Sequence, residues 1–216
     1  MRRIRLRPLR LIAATVIGSL SFVGVAYAAS LGLTSKQLHV WSQTLVKGAC
    51  SPAESDAEID ASNPNSNFGN QPSQTITSKS NGNNNANSYV LIGFNPAASP
   101  CSLGTTAGAD SATLTITVTS VFHGPDTISA YPITSTWNAS NVTWNTMPSY
   151  GATAAFTFSG TGTYTLTVTA ALDGGIKSGA FYGWMLIDTT AGNNVTTTIA
   201  GHPSAQAPSI ALNYEK

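Results

Sequence analysis

Polar and apolar positions alternate in steps of two over much of this chain. Leu114, Ile116 and Val118 are interleaved with Thr113, Thr115, Thr117 and Thr119. Tyr164, Leu166, Val168 and Ala170 are interleaved with Thr163, Thr165, Thr167 and Thr169, and Ile210, Leu212 and Tyr214 repeat the pattern near the C-terminus. Successive side chains of a strand point to opposite faces. This period therefore predicts antiparallel strands with an apolar inner face and a threonine outer face. Residues 182–187 are almost wholly apolar and predict a central strand buried on both faces. Only residues 170–178 have helical character, and Gly174 and Gly175 limit them to a turn or two. Turns rich in Gly, Asn and Pro separate the strands, among them a polar hairpin loop at residues 81–87. The pattern predicts an all-β fold, an antiparallel β-sandwich of jelly-roll type. No segment repeats at a fixed period, which excludes solenoids and propellers.

Residues 1–28 read as a secretory signal, cleaved from the mature chain. Arg2, Arg3, Arg5, Arg7 and Arg10 form a basic region, residues 11–25 an apolar one, and Ala26-Tyr27-Ala28 a small-x-small cleavage site. The apolar run is too short for a comfortable membrane span. Secretion follows, with the protein extracellular or at the cell surface and no membrane association after cleavage. Residues 29–55 are an N-terminal arm or an added edge strand, with a weak strand signal over 38–46. Residues 56–216 form the β-sandwich domain, expected as a monomer. All five arginines fall in the signal, so the mature chain has five lysines against nine carboxylates, a formal charge of −4. That argues against nucleic acid and against any strongly anionic partner. Cys50 and Cys101 predict a single disulfide in an exported protein.

The stretch from Tyr131 to Pro148 begins as a strand and continues as a polar loop bracketed by Trp137 and Trp144. Asn138, Ser140, Asn141 and Asn145 are suited to satisfying loop backbone groups with their own side chains. The two indoles are either ligand-stacking aromatics or the packing of a sandwich corner, and corner packing is the preferred reading. The run W-x(4)-V-T-W-x-x-x-P resembles the signature of DNRLRE-type domains, secreted modules classed among the carbohydrate-binding modules. Asn63-Pro64-Asn65-Ser66-Asn67-Phe68-Gly69 resembles the family's asparagine-rich turn, Tyr89 to Asn95 its "LL-x-F-D" strand, and Ser111 to Ile116 its "ATL-x-L" strand. Residues 164–169, 182–186 and 208–214 resemble its last three segments. The resemblance spans about residues 56–214 and implies a secreted, sugar-binding sandwich. The family's charged positions are mostly replaced here, with Asn95 where Asp is usual and Asn138-Ala139 where an acid often follows the first tryptophan. Without arginine, an acidic polysaccharide is harder to accommodate than a neutral one.

Few residues suggest chemistry. His39, His123 and His202 stand far apart and match no metal-binding spacing, and no nucleophile elbow or phosphate loop occurs. No enzymatic activity is expected. Asp56, Glu58 and Asp60 alternate on one strand and share a face. Two readings of them stay open. Their oxygens suit a structural calcium, or they are a solvated acidic strand. Catalysis would need a second carboxylate brought close in space, for which Asp126, Asp173 and Asp188 are the candidates. Sequons stand at Asn138, Asn141 and Asn194.

The expected function is that of a secreted, non-catalytic module that binds a carbohydrate or cell-wall polysaccharide, with a neutral glycan as ligand. Trp41, Tyr150, Phe181 and Tyr182 are the expected stacking residues, since they lie in loops or outside the strict alternation. Trp184 is expected in the core. The alternative is a structural or adhesive extracellular protein without a glycan ligand, whose threonine rows meet an ordered surface.

Overall fold

The structure, a computed structural model, describes residues 46–78, 87–124, 126–190 and 194–216, apart from the side chain of Ala53. Among the described residues, twelve strands and one helix follow in chain order. They are β1 (Lys47–Cys50), β2 (Ala53–Asp60), β3 (Phe68–Gly69), β4 (Ser73–Ser78), β5 (Ser88–Asn95), β6 (Gly108–Phe122) and β7 (Ile128–Pro132). After these come β8 (Phe156–Phe158), β9 (Gly162–Thr167), α1 (Thr169–Ser178), β10 (Trp184–Asp188), β11 (Val195–Ala200) and β12 (Ser209–Glu215). Every strand pairing is antiparallel.

One set of strands runs β1-β12-β6-β11-β4, with β9 on the other side of β6. The second runs β3-β2-β5-β10-β7-β8. They join through one residue pair, Thr77 with Ser88. The main core collects the alternating residues of both sets. Leu114, Ile116 and Val118 of β6, Ile199 of β11 and Ile210 and Leu212 of β12 cluster with Val90, Ile92 and Phe94 of β5 and with Trp184 and Leu186 of β10. Leu172 and Ile176 of α1 bury into the same cluster. The step-two periodicity thus becomes packing. Val168 belongs to this core, but the alternation ends there, because α1 starts at Thr169 and Ala170 is exposed.

The helix spans ten residues, longer than its glycines suggest. Gly175 is tolerated because a Cβ there would lie 2.6 Å from Phe181, so the position is chosen for space rather than helix propensity. Strands also form within the segment expected as an arm or added edge strand. Lys47–Cys50 adds an edge strand to β12, and β2 begins at Ala53. Cys50 and Cys101 form the expected disulfide, with Cα atoms 5.4 Å apart. The signal segment, most of the 38–46 strand signal and most of the 81–87 loop lie outside the described residues. Among those residues no helix is long and apolar enough to cross a membrane.

A second, smaller core lies on the other face of β5 and β10. Ala57 and Ile59 of β2, Leu91 and Met185 cluster there with Ile133, Ala139 and Val142. Trp137, Trp144 and Met147 are packed half-buried against them. The loop after β7 therefore lies over this face of the sheet, with both indoles packed against it rather than at a corner. Trp144 rests on Tyr89 with ring centroids 4.9 Å apart. Asn67 ties the loop down, its Nδ2 donating to the carbonyls of Ala139 (2.8 Å) and Val142 (2.7 Å). The Asn145 backbone N–H donates to Pro64 O, and its side chain to Asn65. Asn138 Oδ1 accepts from the Ser140 N–H, as its residue type suggests. Gly69 is required by proximity, because a Cβ there would stand 1.8 Å from Ala139 O. The asparagine-rich turn and the double-tryptophan loop are two halves of one contact.

Candidate functional site

Beside this loop lies an open groove of about 500 Å³. Its lining comes from five separate segments: Ser55 of β2, the end of β5 with the loop that follows, Thr136 and Trp137, the C-terminal end of α1, and Phe181 and Tyr182 before β10. Trp137 is held by its own N–H, whose Nε1 donates to Tyr182 O at 2.8 Å. Its indole reaches the groove because position 93 has no side chain, and a Cβ there would lie 2.8 Å from Cζ2. Phe181 sits in the space that Gly175 leaves open and stacks edge-on against Trp184, with centroids 5.2 Å apart. Two glycines thus admit two aromatic rings.

The remaining wall is fixed from outside. Asn95 Oδ1 accepts from the backbone N–H groups of Ala97 and Ala98, forming a tight turn. The Ser102 and Leu103 N–H groups donate to Ala98 O and Pro96 O. Cys101, in the same loop, is bridged to Cys50 on β1. Ser55, Asn95, Thr105 and Thr136 add hydroxyl and amide groups, and none of the lining residues is Asp, Glu, Lys, Arg or His. A partly apolar concavity with a few polar groups is the ordinary form of a small-ligand site.

The expected stacking residues divide. Phe181 and Tyr182 meet in the groove. Tyr150 does not, as it pairs with Ile133 and stacks edge-on with Tyr131 at 5.7 Å, with 39% of its surface exposed. Trp41 lies outside the described residues. Trp184 is 1% exposed, as its core assignment requires. The alternation argument did not find Trp137, Asn95, Ser55, Thr105 or Thr136. For Trp137 the signal, an aromatic ring standing opposite a glycine, emerges only once distant segments are paired.

The acidic strand is spoken for by protein donors. Asp56 is fully buried and accepts from Gln74 Nε2 (2.9 Å) and the His202 backbone N–H (2.6 Å). Glu58 Oε2 accepts from the Thr75 N–H at 2.8 Å, and Asp60 accepts from the Ser62 N–H and Asn63 Nδ2. Burial raises the pKa of Asp56 against the His202 and Gln74 donors, and that of Glu58 against the Thr75 donor. The three carboxylates turn to three different partners. Among the described residues, no three His, Cys, Asp or Glu side chains gather as a metal cluster. The other acids serve other segments. Asp126 accepts from Gly160 N–H and Thr197 Oγ1, Asp173 from Ala109 N–H and Lys177, and Asp188 from Thr190 N–H.

Residues 49–214 match the family model of carbohydrate-binding module family 96. No curated protein matches the chain.

Proposed function

The chain belongs to carbohydrate-binding module family 96, and from that premise we propose that it is an exported, non-catalytic module holding a neutral glycan in the groove of Trp137, Phe181 and Tyr182. The observation that carries this reading is the groove's lining, which is aromatic and polar without Asp, Glu, Lys, Arg or His. A carboxylated or sulfated sugar calls for Arg or Lys at the contact surface, whereas hydroxyls and amides match an uncharged one. Export rests on the signal-like residues 1–28 and is supported by the Cys50–Cys101 bridge, which belongs to an oxidising compartment. The two strand sets closing on one core are read as a sandwich of jelly-roll type.

Affinity electrophoresis on neutral and acidic polysaccharides tests the proposal. Retardation on a neutral glycan is expected, and Thr105→Trp, which fills the exposed rim of the groove, removes it without moving the melting temperature. Retardation on acidic glycans only, or in Thr105→Trp as strongly as in the parent, would sink it.

One observation favours the adhesive alternative. Thr113, Thr115 and Thr117 of β6 stand opposite Thr167, Thr165 and Thr163 of β9, so the sheet carries a ladder of three threonine pairs. Strand geometry spaces such pairs about 6.7 Å along the chain and about 4.8 Å across it, a regular array suited to an ordered surface. Adsorption to ice that Thr115→Lys abolishes and Thr105→Trp does not, with no retardation on any glycan, would favour it.

A further inference from the structure

The outer face of β5, β10 and β7 carries aromatic rings that the groove does not use. Tyr131 of β7 stands opposite Met185, and Met185 opposite Leu91, so Tyr131 shares the face of the smaller core. Tyr89, on the same face of β5, is half-buried against that core and meets Trp144 at 4.9 Å. Tyr150 stacks edge-on with Tyr131 at 5.7 Å. The two pairs adjoin. Burial first, and then the neighbouring Tyr150 phenol, push the Tyr89 pKa above its ordinary value, against a hydrogen bond with Asn87. Trp144, Tyr89, Tyr150 and Tyr131 therefore form one strip, and none of them lines the groove.

The strip is held firmly although it faces solvent. Tyr150 is one of three large hydrophobic residues exposed among the described residues, at 39%. Its backbone is clamped on both sides. The Thr134 N–H donates to Ser149 O and the Gly151 N–H to Pro132 O, each at 2.8 Å, and the Ser149 N–H donates to Ser135 Oγ. The turn at Trp144–Thr146 is closed by the Met147 N–H, which donates to Trp144 O, and by Thr146 Oγ1, which accepts from the Thr143 N–H at 2.9 Å. Core packing does not account for an exposed ring on a rigid turn, whereas a preorganised binding surface requires one.

Size and polarity choose the occupant. Four such side chains carry roughly 150–250 Å² each, and with none more than 39% exposed they offer at most about 400 Å² to a partner. A stable protein interface needs about 800 Å² from each side. A sugar ring needs far less. The side chains that hydrogen-bond around the strip are amides and hydroxyls: Asn87 at Tyr89, Asn65 at Asn145 and Ser135 at Ser149. A pyranose matches this pattern, with polarised C–H groups for the negative ring faces and hydroxyls for the edges. The strip is also continuous with the groove. The loop that sets Trp137 against Gly93 sets Trp144 against Tyr89, four residues away on β5, roughly 13 Å by strand rise.

We propose that Trp144, Tyr89, Tyr150 and Tyr131 form a second sugar-binding surface, which engages the same neutral polysaccharide chain as the groove, further along it. The proposal rests on the groove reading. The strip is too open to hold a chain by itself. It acts through the groove, because a chain already bound there presents its next sugars at high effective concentration. Long chains gain from it, and oligosaccharides that end within the groove do not.

Calorimetric titration of the purified protein with hydroxyethylcellulose, galactomannan and xylan, and with cellotriose, mannotriose and xylotriose, tests this. On the polymer that the parent binds, Tyr150→Ala should weaken affinity at least about tenfold. Affinity for the matching trisaccharide should be unchanged, which shows that the groove and the fold are intact. Tyr150→Phe keeps the ring and should match the parent on both. Polymer affinity unchanged in Tyr150→Ala overturns the proposal and leaves the groove reading standing. Equal losses for polymer and trisaccharide overturn it too, because the ring would then act through the groove. So does a loss in Tyr150→Phe as large as in Tyr150→Ala, since stacking would not be the contact. A parent that dimerises on gel filtration while Tyr150→Ala stays monomeric gives the strip to a second copy of the chain and also overturns it. A parent that binds none of the polymers removes both readings at once.

Discussion

On one face of β5 and β10, Val90, Ile92, Phe94, Trp184 and Leu186 meet the β1-β12-β6-β11-β4 set of strands; on the other, Leu91 and Met185 meet a loop. The first contact is made by many interchangeable aliphatic side chains supplied by strand alternation. The second depends on a few atoms. These are the Asn67 amide holding two carbonyls, the missing Cβ of Gly69, and the N–H of Trp137. A strand–strand core is specified by a pattern and a strand–loop core by particular contacts. The groove lies on the specified side, where its shape is set by hydrogen bonds as much as by burial.

Substitutions on either face test this division. Trp184→Ala should be the costliest, about 3–5 kcal/mol in urea denaturation, because the ring packs edge-on against Phe94, Phe156 and Phe181 and cannot be replaced by collapse. Gly69→Ala should cost about 1–3 kcal/mol for one methyl group, since the Ala139 carbonyl must move. A cost within the range of an ordinary surface change would show that the loop is only loosely laid on the sheet. Asn67→Ala should cost about 1–2 kcal/mol by leaving two loop carbonyls without their donor, with a change in Trp144 fluorescence as the loop shifts from Tyr89. Asn138→Ala, at an exposed turn, should stay within about 0.5 kcal/mol. If it matched Asn67→Ala, anchoring would be spread along the loop rather than concentrated at one amide.

Strand alternation made the inward faces of β6 and β12 legible in the sequence at Leu114, Ile116, Val118, Ile210 and Leu212, while Ile199 of β11 went unread and Ala170 turned outward. The double-tryptophan loop was legible as a motif, and its docking partner was quoted as a separate motif. Their contact was not legible, because Asn67 and Ala139 are joined only by folding. The groove was half legible. Phe181 and Tyr182 announced themselves by breaking the alternation, while Asn95, Thr105 and Thr136 look like any other loop residues until the disulfide and α1 bring their segments together. In the acidic strand, alternation correctly put Asp56 and Glu58 on one face. Nothing local to the strand points to Gln74 or His202, the partners of Asp56.

The two ends of the described fold are neighbours. Val46 and Lys216 exchange both backbone hydrogen bonds, and β1 runs antiparallel to β12 from there to Cys50. A load pulling residue 46 away from residue 216 therefore meets the sheet as a zipper, opening one residue pair at a time, which is the mechanically weak direction. Four pairs in, it reaches Cys50, and the covalent link to Cys101 passes the tension to the loop after β5, leaving β2 out of the line of force. Single-molecule pulling across these two points should show a short, soft extension followed by a firm stop, and reductant should turn that stop into full unravelling. The module behaves as a tether with a fuse that opens a few residues and then holds.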